Sequence, residues 1–123
     1  MTNRRQILLV DDTADIIKLV KKRLEEVGFD VRVAMDGDEA IRQVRSKKPD
    51  LIILDVMLPK LNGHQVCSML KQDEQYSNIP IILFTARTSE IDEQLGFEAG
   101  ADAYVRKPFR SEELLGQVKK LLS

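Results

Sequence analysis

A second cysteine is missing from this chain, so Cys67 cannot form an internal disulfide, which suits a reducing compartment; its apolar neighbours make a buried structural thiol the expected role. An excess of either charge is missing too. Lys and Arg number 19 against 20 Asp and Glu, for a formal net charge of -1, so no strongly basic field exists to hold nucleic acid and no direct nucleic-acid partner is expected. Long hydrophobic runs are also lacking. The basic start Asn3-Arg4-Arg5 precedes only the short apolar run Ile7 to Val10, which then meets two aspartates. A signal peptide needs a longer apolar stretch, and no segment approaches transmembrane length, so no membrane partner is expected and the cytoplasm is the expected location. There is no low-complexity stretch, no long internal repeat and no Pro-, Gly- or Ser-rich linker. The expectation is a single domain over residues 1–123, and a chain of this length buries roughly two-thirds of its unfolded surface, enough for a core without staples.

Three continuous apolar runs stand out: Ile7-Leu8-Leu9-Val10, Leu51-Ile52-Ile53-Leu54 and Ile81-Ile82-Leu83-Phe84. Each is too short for a helix and rich in β-branched residues, the pattern of strands buried on both faces. Val31 to Ala34 after Gly28, and Ala103 to Val105 after Gly100, are weaker strand candidates behind turn signals. Between the strands the period turns helical. Ile17, Val20, Leu24 and Val27 form one apolar stripe, ended by Gly28. Asp36 with Glu39 reads as a capping box for a helix carrying Ala40, Ile41 and Val44, closed by Pro49. Further helices are expected around His64 to Gln72, Glu90 to Ala99 and Glu112 to Leu122; Ser111 is the expected N-cap of the last, with Glu112 and Glu113 at the positive end of its dipole. A strand followed by a helix, five times over, predicts an α/β fold: a doubly wound, flavodoxin-like (βα)5 parallel sheet with right-handed crossovers and strand order 2-1-3-4-5.

In such sheets ligands bind beyond the carboxyl ends of the strands. Those positions are sharply polar here: Asp11-Asp12 after the first run, Asp55 after the third strand, Thr85 after the fourth, and Arg106 leading to Lys107-Pro108 after the fifth. Three clustered carboxylates would repel by about 4 kcal/mol per pair at ~4 Å and an effective dielectric near 20, so a cation belongs to the design. Hard oxygen ligands from few protein groups suit Mg2+, which leaves a position open for a phosphate oxygen. Two of the three charges would then be cancelled by the metal and one by the Lys107 ammonium. That balance suits phosphoryl transfer onto a carboxylate, with Asp55 attacking and Thr85 able to hydrogen-bond a phosphoryl oxygen.

Plainer roles exist for each residue taken alone. Asp11, Asp12 or Thr13 could merely cap a helix, Thr85 could be a strand-end hydroxyl and Lys107 a solvated side chain. Asp55 fits capping poorly, because it follows four buried aliphatics and lies well before the next helix. His64 is expected to be exposed and structural. The joint placement of the acids, Thr85 and Lys107 at one sheet edge is the specific signal.

These residues carry a resemblance. Ile7-Leu8-Leu9-Val10-Asp11-Asp12, Pro49-Asp50 through Leu54-Asp55-Val56-Met57-Leu58-Pro59, Asn62-Gly63, Ile79-Pro80 through Thr85-Ala86-Arg87, Ala99-Gly100-Ala101-Asp102-Ala103-Tyr104-Val105 and Lys107-Pro108-Phe109 closely resemble the receiver domains of bacterial two-component response regulators. The likeness implies a phosphorelay in which a histidine kinase or phosphotransfer protein presents a phosphohistidine to Asp55. The receiver itself would catalyse its phosphorylation and dephosphorylation without being an enzyme in the ordinary sense. It further implies Mg2+ bound by Asp12, Asp55 and the backbone carbonyl of Met57, with Asp11 acting through water. Thr85 and Tyr104 match the paired switch residues, and the Lys107-Pro108 bond is expected to be cis. A downstream protein partner would use the fourth helix, fifth strand and fifth helix, and a phosphorylation-dependent dimer is a further expectation. Met57 and Arg87 occupy positions that tune phosphoryl lifetime, and neither readily positions a water, which implies slow self-hydrolysis. The alternative from another class is a Mg2+-dependent phosphohydrolase with an aspartate nucleophile. Against it, the position two residues after Asp55 is Met57 rather than a second aspartate, and there is no inserted cap.

Overall fold

A computed structural model describes residues 4–86 and 90–123. Strands and helices alternate: β1 (Gln6–Val10), α1 (Ala14–Glu26), β2 (Asp30–Ala34), α2 (Gly37–Ser46), β3 (Leu51–Asp55), α3 (Gly63–Lys71), β4 (Ile81–Thr85), α4 (Glu90–Glu98), β5 (Ala103–Arg106) and α5 (Ser111–Leu122). The strands pair in parallel in the order β2-β1-β3-β4-β5.

The continuous apolar runs are explained by two cores, one on each side of the sheet. Leu8, Val10, Ile52, Leu54, Ile81 and Leu83 pack with α2 and α3, while Ile7, Leu9, Leu51, Ile53, Ile82 and Phe84 pack with α1 and α5. Successive residues of a strand point to opposite faces, so a strand buried on both must be apolar throughout. Cys67 lies fully buried in the first core, its Sγ 3.5 Å from the Ala99 carbonyl, and burial pushes the thiol up to about 12.

Several local expectations need correction. Ser111 is the first residue of α5 rather than its cap: Arg110 stands at the N-cap in extended conformation and makes no side-chain cap hydrogen bond. The open amides of the first turn instead have Glu112 and Glu113 beside them, and these favour the positive end of the dipole. Val27 falls off the α1 stripe. It sits at the C-cap, 44% exposed, and Phe29 returns to the second core in its place, its N–H donating to the Leu24 carbonyl at 3.1 Å. The Asp36 carboxylate does accept from the Glu39 amide at 2.8 Å, but Glu39 reaches back to the Met35 amide, one residue before the cap. His64 is half-buried rather than exposed: in the first turn of α3 it lines a cleft with Val56, Leu58 and Asn62.

Candidate functional site

The parallel topology gathers all five carboxyl strand ends at one edge. Val10 of β1 pairs with Leu54 of β3, so Asp11 and Asp55 emerge side by side. Asp55 pairs in turn with Phe84 of β4, and Thr85 with Arg106 of β5, which delivers Lys107 to the same edge. Carboxylate oxygens of Asp11, Asp12 and Asp55 lie within 4.8 Å of one another, the first and third buried and Asp12 exposed. The Lys107 ammonium donates to Asp11 Oδ2 at 3.0 Å and to Asp55 Oδ2 at 3.1 Å. The remaining oxygen of each buried acid accepts from a backbone amide two residues on, Thr13 at 2.8 Å for Asp11 and Met57 at 3.0 Å for Asp55. Every oxygen of the buried pair is thereby held, and the loops that leave β1 and β3 are fixed to the acids they carry.

The electrostatics follow from burial. Desolvation raises the Asp55 carboxyl above the usual carboxylate range, outweighing the opposing effects of the Met57 amide and the Lys107 ammonium, while Asp11 adds repulsion. Burial by itself would lower Lys107, but the hydrogen bonds and charges of Asp11 and Asp55 together hold it above its ordinary value. The ammonium is therefore charged at neutral pH. It offsets one of the carboxylates and leaves a site of hard oxygens with two negative charges when all three acids are ionised, the donor set that fits a divalent cation such as Mg2+.

The response regulator receiver domain family matches residues 7–119 of the chain. The chain belongs to that family. It is 48% identical over 118 residues to the alkaline phosphatase synthesis transcriptional regulatory protein PhoP of Bacillus subtilis, an alignment covering 96% of this chain and 48% of PhoP. The chain thus spans about half the length of that relative. Among solved structures, the chemotaxis response regulator CheY4 of Vibrio cholerae superposes with a TM-score of 0.91 at 32% identity, covering 98% of this chain and 100% of CheY4. The BeF3-activated receiver domain of Klebsiella pneumoniae RstA gives 0.89 at 32% identity, covering 96% and 98%. No feature of the site favours the phosphohydrolase alternative, since the residue two beyond Asp55 is Met57.

The receiver domain brings Asp11, Asp12, Asp55 and Lys107 into one cluster, as the sequence predicts. Thr85 is fully buried at the end of β4, its carbonyl accepting from the Lys107 amide at 2.8 Å. The Lys107-Pro108 bond is cis. Met57 stands at the rim, 53% exposed, and Tyr104 is half-buried on β5 with its ring 6.5 Å from that of Phe97 on α4. Arg87 lies outside the described residues. Two further contributors have no role assigned from the sequence. Phe84 places its ring 4.6 Å from the Lys107 ammonium, although its position in an apolar run reads only as core. Gly63 opens α3 so close to β3 that a Cβ there would meet the Asp55 carbonyl oxygen at 2.4 Å. The Asn62-Gly63 pair was the available signal for that approach, since close backbone contact calls for glycine.

Proposed function

We propose that this receiver domain accepts a phosphoryl group on Asp55 from a phosphohistidine of a histidine kinase or phosphotransfer protein, in a Mg2+-dependent reaction, and thereby alters the surface it offers to a protein partner. The observation that carries this reading is a buried Asp55 carboxylate held by the Met57 amide and the Lys107 ammonium beside two further acids. Asp11, Asp12, Asp55 and the Met57 carbonyl would hold the metal. When bound, Mg2+ neutralises charge on the transferring group and on the acids. Asp55 Oδ attacks phosphorus, the P–N bond to the donor imidazole breaks, and that nitrogen keeps the electron pair and regains a proton. The Lys107 ammonium donates to a phosphoryl oxygen and offsets its charge, and the Thr85 hydroxyl donates to another.

Return to the resting state is hydrolysis: water attacks phosphorus, the P–O bond to Asp55 breaks, and the carboxylate is restored. The Met57 side chain has no group to orient that water, which favours a long-lived phosphoryl. The cytoplasm is the proposed location; among the described residues no helix is long and apolar enough to cross a membrane.

Incubation with acetyl phosphate and Mg2+ tests the reading. Intact mass increases by one phosphoryl group, and the increase is lost in Asp55→Asn. Persistence of the shift in that variant refutes the assignment of Asp55. The RstA receiver domain takes a BeF3-activated form, and the same phosphoryl mimic is expected to load Asp55 of this chain.

A further inference from the structure

Lys107 has a flexible four-carbon stem, yet its ammonium must stand between Asp11 and Asp55. The two carboxylates attract it from one side only. Sheet register supplies the other side: Asp55 pairs with Phe84 and Phe84 with Val105, so these three side chains form a row on the face packed by α1 and α5. Lys107, two residues beyond Val105, lies over that row with its ammonium 4.6 Å from the Phe84 ring centroid. Phe84 is fully buried, and Phe109 packs against it edge to face, centroids 5.7 Å apart at 72°, which supports the ring in this orientation.

We propose that Phe84 is a positioning residue for phosphoryl transfer: the electron-rich face of its ring keeps the Lys107 ammonium beside Asp11 and Asp55. This deepens the reading of Asp55 as phosphoacceptor and rests on it. An aliphatic side chain at position 84 would fill the space but present no quadrupole to the partly desolvated cation, which would then find alternative rotamers toward solvent. The role goes beyond core packing because it depends on the ring's electrons rather than on its volume.

Fluorination of the ring separates the two. With mono-, di- and trifluorophenylalanine incorporated at position 84 of the full chain, the second-order rate constant for phosphorylation by acetyl phosphate at saturating Mg2+ falls stepwise. The total fall is about tenfold, while the melting temperature stays close to that of the wild type. Phe84→Leu reacts as slowly as the trifluoro form. A readout independent of activity is the Lys107 Cε methylene proton shift in the unphosphorylated protein: the ring displaces it upfield, and Phe84→Leu returns it to the ordinary lysine position. A flat fluorination series in a protein that is phosphorylated, or a Lys107 shift unmoved by Phe84→Leu, overturns this inference alone. Failure of the wild type to take up phosphoryl overturns the functional reading and this inference with it.

Discussion

Asp12 differs from its two neighbours in a way that makes it the informative acid. Asp11 and Asp55 are buried and bound by Lys107, whereas Asp12 is exposed and brings its carboxylate to within 4.8 Å of theirs as the third member of the cluster. Before a cation arrives it contributes mostly repulsion, about 1 to 4 kcal/mol per pair at ~4 Å depending on how far water screens it. Asp12→Ala therefore raises the melting temperature of the metal-free protein. The same substitution removes a ligand, so it abolishes the stabilisation that Mg2+ confers on the wild type, which by linkage reaches about 2.7 kcal/mol when the metal stands at a hundred times its dissociation constant. Thermal melts with and without millimolar Mg2+ check both signs. A wild-type curve that ignores Mg2+ counts decisively against the pocket. At this scale the acids and Lys107 were legible because their joint placement at the carboxyl ends of the strands exceeds what capping or solvation requires. Phe84 was not, because its partner lies 23 positions along the chain and only strand register reveals the meeting.

The β3–α3 connection is the element on which the site depends most. Its first residues hold Asp55 through the Met57 amide, and its end is clamped where the Gly63 amide donates to the Val56 carbonyl at 3.0 Å. A Cβ at Gly63 would meet the backbone at the end of β3, the Asp55 carbonyl oxygen at 2.4 Å and the Val56 Cα at 2.7 Å, and a strand in the middle of a sheet cannot give way. Gly63→Ala is therefore expected to cost about 2 kcal/mol or more and to slow phosphorylation of Asp55, because relief can come only by displacing β3 or α3. Urea melts and the acetyl phosphate reaction measure the two effects, and a variant as stable and as reactive as the wild type refutes the clamp. The elements themselves were readable where period and length agreed: all five strands and all five helices stand within a few residues of their expected bounds. Caps were less legible. Ser111 has the right chemistry for an N-cap, yet the chain after Pro108 enters the helix one residue earlier. Conversely Asn62 and Gln65 form a reciprocal capping box at 2.9 Å in each direction, which an Asn-Gly pair disguises as a simple turn.

Across the whole molecule, the proposed function requires the chemistry at one sheet edge to reach a partner-facing surface, and β4, β5 and α4 connect the two. Leu83 pairs with Tyr104 and Thr85 with Arg106, so the strand end that would meet a phosphoryl group is bonded to the strand that carries the tyrosine. Above them α4 packs closely: a Cβ at Gly96 would come within 3.3 Å of the Tyr104 ring, and Arg106 is ion-paired to Glu93 at 2.5 Å. Tyr104 sits half-buried against Phe97 in this arrangement. On the proposed reading, a phosphoryl group on Asp55 would bring roughly -1.5 to -2 charge and strong acceptor oxygens, which would draw the Thr85 hydroxyl toward it and open space beneath α4. Tyr104 would then turn inward and bury apolar area that its present pose leaves partly exposed. Moving the population from 1:99 to 99:1 requires the phosphoryl to favour the active arrangement by about 5.5 kcal/mol, and a smaller preference gives partial activation. The expected outcome is that beryllofluoride changes amide chemical shifts throughout residues 85–109, and that Thr85→Ala shrinks the changes around Tyr104 while leaving those beside Asp55. Shifts confined to the loops bearing Asp11, Asp12 and Asp55 would mean that the fourth helix and fifth strand do not carry the signal.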